Sequence, residues 1–245
     1  MKPQALFTFL IVMAWTLSGE AQTKKSSWDY QQFDWNKAYQ SQSFSGYYKE
    51  GGEFIDLKMV KGSPYFVAVF MPGKVSFQGK TSKDFYIRYN AFGDEIEVKE
   101  ELSATGVKAL LKDPEITAEF NGELFVYVED FINDKDEKNS GYMSLIHQGP
   151  QYTVYLQKRK IFKRGKEART SFESGFPDQF VDEYNYYISE NGQPATYIKM
   201  NKRSLTDLAD GSQKNSLKQF IRDNNIDTDA PEDIEKLFRF IEQSM

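Results

Sequence analysis

The stretch "RYNAFGDEIEVKE", residues 88–100, alternates apolar and polar side chains, breaks at Ala91-Phe92-Gly93-Asp94, and alternates again. Side chains two apart share a strand face, so Tyr89 opposes Arg88 and Asn90, while Ile96 and Val98 oppose Glu95, Glu97 and Lys99. The break holds turn-forming residues, and the two halves are therefore predicted to pair as an antiparallel hairpin. Glu95 and Glu97 raise the question of an active site. Residues two apart in a strand lie about 6.5–7 Å apart at Cα, within the range of glycosidase carboxyl pairs. Catalytic carboxylates must flank a bond inside a cleft, however, and one strand cannot place them so. Glu95 and Glu97 are expected on the water-facing side of a half-buried strand. Arg88 is expected to pair across the hairpin with Glu97 or Glu95 and fix its register; contact of Arg88 with a bound anion is the alternative.

Outward from this hairpin the same pattern continues. Strands are predicted at 53–60, 65–70, 74–78, 84–89, 95–101, 115–121, 123–129, 142–147, 152–162, 183–189 and 196–200, separated by Gly, Pro, Asn and Asp clusters. Asn121-Gly122 and Asn191-Gly192 are strong hairpin turns. Connections this short leave no room for crossover helices, so the strands should be mostly antiparallel. The expected class is α+β with predominantly antiparallel β structure, as a meander, half-barrel or sandwich under a small C-terminal helical cap.

The segments at either end differ in character. Lys2 precedes an apolar run from Ala5 to Leu17, 13 residues long, and then Gly19-Glu20-Ala21. That is the pattern of a secretory signal peptide over 1–21, too short to span a bilayer as a helix. Export follows, to the periplasm, the outer membrane or the medium, with no transmembrane span left after cleavage. Residues 22–50 hold eight aromatics, and Trp28, Gln32, Trp35 and Tyr39 have helical spacing. They predict a short amphipathic helix laid on the sheet, or an aromatic platform for a sugar ring. After the β domain at 51–200, residues 201–245 turn helical. Ser204 is placed to cap a turn that Gly211 ends, and Leu217, Phe220 and Ile221 mark a second helix. Pro231 opens a third, in which Ile234, Leu237, Phe238 and Ile241 form one apolar stripe.

The segments "MPGKVSFQGK" (71–80), "FYIRYNAFGDEIEVK" (85–99) and "ATYIKMNKRSLTDL" (195–208) together resemble a family of uncharacterised secreted proteins of Bacteroidota. The resemblance covers about residues 60–245. It implies an envelope location and a β-rich fold, and it brings no catalytic residues with it.

Chemistry is constrained by what the chain lacks. There is no cysteine, so disulfides, thiolate ligands and a thiol nucleophile are excluded. The single histidine, His147, ends a predicted strand, where a local hydrogen bond is expected; no hydrolase, zinc-protease or phosphate-loop motif accompanies it. Asp134 and Asp136 have the first spacing of a calcium loop, but Lys138 stands where the next oxygen ligand belongs. No catalytic residue, cofactor or metal is expected. The net charge of −5 argues against nucleic acid. Charge is uneven, though, because residues 151–170 carry seven basic residues and one acidic. Lys158, Arg159, Lys160, Lys163 and Arg164 fall at the end of a strand that turns polar on both faces, which predicts a projection from the sheet. It would contact a polyanion, or its lysines would protect an exposed edge. The leading expectation is an exported, non-enzymatic envelope protein that binds or assembles with an envelope protein or polysaccharide. A carboxylate-based glycan hydrolase is the alternative, and it needs two acids from different strands facing one cleft.

Overall fold

A computed structural model describes residues 34–41, 47–48, 54–167, 174–209 and 211–244. The strands are β1 (Tyr39–Ser41), β2 (Tyr47–Tyr48), β3 (Phe54–Ile55), β4 (Met71–Phe77), β5 (Thr81–Asn90), β6 (Glu95–Lys99) and β7 (Lys108–Leu110). They continue with β8 (Ile116–Phe120), β9 (Glu123–Ile132), β10 (Lys138–Gln148), β11 (Tyr152–Lys163), β12 (Gln179–Glu190) and β13 (Thr196–Ile198). Among the described residues, eleven strands make one sheet in the order β1-β7-β6-β5-β4-β8-β9-β10-β11-β12-β13, and β2 pairs with β3. Neighbours in that order are antiparallel, as the short turns require. Asn121-Gly122 and Asn191-Gly192 both have positive φ, the left-handed backbone that tight hairpins need.

The sheet curls without closing into a barrel. At its far end β13 pairs with β12 and also touches β9 in parallel at Thr196 and Ile132, where the Ile132 N–H donates to the Ala195 carbonyl at 2.8 Å. Strands β9 to β13 therefore wrap around a small core of Phe131, Met143, Tyr187 and Ala195. The opposite face of β11 and β12 presents Tyr152, Val154, Leu156, Tyr186 and Ile188. Three helices cover it, α1 (Lys202–Thr206), α2 (Gly211–Asp223) and α3 (Pro231–Ser244). The stripe Ile234, Leu237, Phe238 and Ile241 of α3 is buried as its periodicity demands.

One gap in this sheet decides the site. Strands β10 and β11 pair only between Ser144–Gln148 and Thr153–Leu156, and beyond that point they part. The β5–β6 turn fills the opening. The Lys160 N–H donates to the Ala91 carbonyl at 3.1 Å, the Tyr142 N–H donates to Asp94 Oδ1 at 3.1 Å, and the Phe92 ring packs 5.2 Å from that of Phe180. The quoted hairpin is thus a wedge between two other strands.

Several expectations are corrected by this arrangement. Glu97 is 0% exposed, because residues 65–70 pack over the face that alternation assigned to water. That same segment is not the predicted strand. It is irregular and shaped around Arg88, whose guanidinium lies 4.3 Å from the centres of both the Tyr65 and Phe70 rings. In the described part of the predicted strand 53–60, Phe54–Ile55 alone is strand, and β1 and β7 are too short to show alternation in the sequence. The helix predicted through Tyr39 is replaced in the described part by a 3-10 turn at Trp35–Lys37 and by β1; its earlier part, the signal segment and Arg169 lie outside the described residues. Asn201, not Ser204, caps α1, its Oδ1 accepting from the N–H groups of Arg203 and Ser204 at 3.0 Å each. Gly211 begins α2 instead of ending α1. The basic end of β11 does not project alone, since its residues Tyr152 to Lys163 pair with β12 throughout, and β12 is joined to Lys61 by a further bridge.

Candidate functional site

Where β10 and β11 part, the inner face of the curl opens into a recess of about 460 Å³. Its lining alternates out of two long strands. On β11, Gln157, Arg159 and Ile161 point inward, and on β12 Glu183, Asn185 and Tyr187 do the same. The β9–β10 loop adds Asn133, Asp134 and Lys135, and the wedge adds Asp94. At the floor the side chains are buried and neutral. Tyr187 is 2% exposed, packs edge to face on Phe131 with ring centres 4.8 Å apart, and donates from its hydroxyl to Gln157 Oε1 at 3.3 Å. Burial, aided by the charge of Asp134 and opposed by that of Arg159, pushes the Tyr187 phenol up to about 12, so it stays a proton donor near neutral pH.

Asp94 is committed to the fold. It accepts from the Tyr89 hydroxyl at 2.8 Å and the Tyr142 N–H at 3.1 Å, and Lys112 Nζ stands 3.5 Å away. Burial first, and then the charge of Asp94, drive the Tyr89 phenol well above its ordinary value. The β9–β10 loop is likewise self-supporting: Asn133 Oδ1 accepts from the N–H groups of Lys135 and Glu137 at 2.9 Å each. Asp134 and Asp136 are in this loop, and among the described residues no group of three acids or imidazoles is arranged to hold a metal.

The basic stretch divides between two faces. Lys158 pairs with Glu123 at 2.6 Å, and Lys160 pairs with Asp182 at 2.5 Å while lying 4.1 Å over the Phe66 ring. Lys163 is exposed and lies over the Phe176 ring at 4.8 Å, and Arg164 is also exposed and engaged. Arg159 alone among these five turns into the recess. Arg88, on the far side of the wedge, donates to Glu97 at 2.6 Å and to the Ala68 carbonyl at 3.0 Å. His147 lies at the seam between β10 and α3, with Nε2 3.3 Å from Glu242 but out of line for a hydrogen bond.

No protein family, curated protein or solved structure matches the chain. The recess must therefore be read from its own chemistry. Of its lining, sequence reasoning singled out Arg159 and the loop aspartate Asp134. Gln157, Glu183, Asn185, Tyr187 and Asp94 were missed as site residues. A signal did exist in the polar pairs Gln157/Arg159 and Glu183/Asn185, which continue the same faces as the apolar Tyr155 and Tyr187. Polar residues that follow core residues on one face of two paired strands mark a solvated cavity above a core.

Proposed function

We propose that this is an exported envelope protein that binds a small polar ligand in the recess between β9, β11, β12 and the β5–β6 wedge. The recess itself carries this reading: a volume of about 460 Å³, an aromatic and amide floor on paired strands, and a charged rim shared between those strands, the β9–β10 loop and the wedge. Ligand sites of this size commonly combine apolar walls with a few fixed polar groups. The wedge adds rigidity, because Asp94 and Ala91 are hydrogen-bonded to the strands they separate. Export rests on the N-terminal charged-then-apolar pattern, and binding at an envelope fits the resemblance to secreted Bacteroidota proteins.

A screen of amino acids, short peptides, sugars and nucleotides by thermal shift tests the reading. At least one class should raise the melting temperature of the wild-type chain and fail to do so with Asn185→Trp, which fills the recess. Absence of any stabilising compound, or equal stabilisation of the filled variant, would remove the recess as the site.

A second reading has one observation in its favour. Asp94, Asp134 and Glu183 come from three different elements and line the same recess, which is the arrangement a carboxylate hydrolase needs. Asp94 is spent on structural hydrogen bonds, which leaves Glu183 and Asp134 to do the chemistry. Polyanion binding through residues 158–164 has less support, since Lys158 and Lys160 are already paired with acids.

A further inference from the structure

Arg159 and Glu183 occupy directly opposite positions on β11 and β12, with both side chains on the recess side. Opposite charges so placed ordinarily close into a cross-strand ion pair. The next pair along shows this on the other face, where Lys160 and Asp182, also directly opposite, meet at 2.5 Å. Among the described residues, Arg159 and Glu183 form no ion pair or hydrogen bond with each other or with any other group. A cation and an anion, Arg159 exposed and Glu183 half-buried, therefore stand side by side at the mouth of a cavity without closing on each other.

The remaining charges of the recess sharpen the point. Asp94 is balanced by Lys112 and by the Tyr142 N–H. That leaves Arg159 and Lys135 against Glu183 and Asp134, an even balance. An anionic ligand would satisfy one sign and bring the other out of water unpaired; a cationic ligand would do the reverse. A neutral sugar would offer hydroxyls to both signs but an opposite charge to neither. A ligand with both charges close together offers an opposite charge to each.

We infer, on the basis of the binding function proposed above, that the recess selects a zwitterion, an α-amino acid or a dipeptide. Its carboxylate is held by the forked donors of Arg159 and its ammonium by Glu183. The two protein groups spring from opposed backbone positions, where Cβ atoms lie about 4.5–5.5 Å apart, so their long side chains reach an ammonium and a carboxylate carried on one carbon, as in an amino acid, or a few bonds apart, as in a dipeptide. The ligand side chain then rests on Tyr187, Phe131 and Ile161, and the amides of Gln157 and Asn185 line the wall beside it.

Calorimetry on the chain lacking residues 1–21 tests this with L-phenylalanine, L-glutamine and diglycine. Each is compared with its N-acetylated form, its C-terminal amide and the doubly capped form, and glucose serves as a neutral probe. At least one free compound should bind, and capping either end should weaken it about 10- to 100-fold, the range of a lost charge-assisted hydrogen bond. Arg159→Gln should abolish the difference between the free acid and its amide. Glu183→Gln should abolish the difference between the free amine and its acetyl form. Neither group has a partner to lose, so unchanged melting temperatures would show that these variants still fold. Capped and free forms binding alike, or glucose binding while the amino compounds do not, would overturn the zwitterion assignment and leave the recess as a binding site. If no compound of any class binds, the proposed function fails with it.

Discussion

Glu97 is fully enclosed, yet each of its oxygens has a donor. Arg88 Nε lies 2.6 Å from Oε2, the Tyr65 hydroxyl 3.1 Å and the Asn90 amide 3.3 Å from Oε1. The Arg88 guanidinium also lies against two aromatic rings and its side chain is only 20% exposed, which strengthens the pair over one at the surface. Removing one partner of such a pair leaves a charge buried without compensation, at a cost of about 3–5 kcal/mol. Arg88→Met should therefore lower the unfolding free energy read from denaturant titration by that amount, whereas Arg88→Met combined with Glu97→Leu should recover most of it. A single variant as stable as wild type would show that the pair is not what holds the wedge hairpin to the 65–70 segment. The network also explains why alternation misjudged this strand: it reports the relation between neighbouring side chains and says nothing about a distant loop that covers the polar face.

At the scale of elements, α3 is joined to the sheet by more than its apolar stripe. Glu242, near its C-terminal end, accepts from the N–H groups of Tyr152, the first residue of β11, at 2.9 Å and of Gln151 just before it at 3.2 Å, and approaches His147 at 3.3 Å. Gly149 makes room for it, since a Cβ there would fall 1.7 Å from a Glu242 oxygen. Burial is the largest influence on this carboxyl and acts to raise its pKa. The two N–H donors and His147 together outweigh it, so the net shift is downward. A carboxyl whose folded pKa lies below its unfolded value adds stability above the unfolded value, near 4.5, and loses it as pH falls through the folded one. Stability of the wild type should thus decline more steeply than that of Glu242→Gln below about pH 5, the usual onset of carboxylate protonation. Thermal melts between pH 3 and pH 7, a window spanning ordinary carboxylate titration, measure it; parallel curves for the two proteins would contradict the assignment.

For the molecule as a whole, the helices complete a core that the sheet begins. Among the described residues, Tyr152, Val154, Leu156, Tyr186 and Ile188 are covered on that face chiefly by the three helices. Truncation at Asn201 should leave a chain that binds a hydrophobic dye strongly or precipitates, because an apolar sheet face of that extent is an aggregation surface. A truncated chain that stays monomeric and dye-negative would mean that the helices are an accessory to an independently stable sheet. No helix among the described residues is long and apolar enough to cross a membrane. The antiparallel class, the turns at Asn121-Gly122 and Asn191-Gly192, and the amphipathic last helix were legible in the sequence, because each depends on side chains within a few positions of one another. That Arg88 pairs with one of the two glutamates was legible for the same reason, being local to one hairpin; the choice of Glu97 and its burial were not. The curl that brings β13 to β9, the parting of β10 from β11 and the entry of the β5–β6 turn depend on residues dozens of positions apart, and no local period encodes them. The recess exists only through those three events, so tertiary structure alone determined that Arg159 and Glu183 share it.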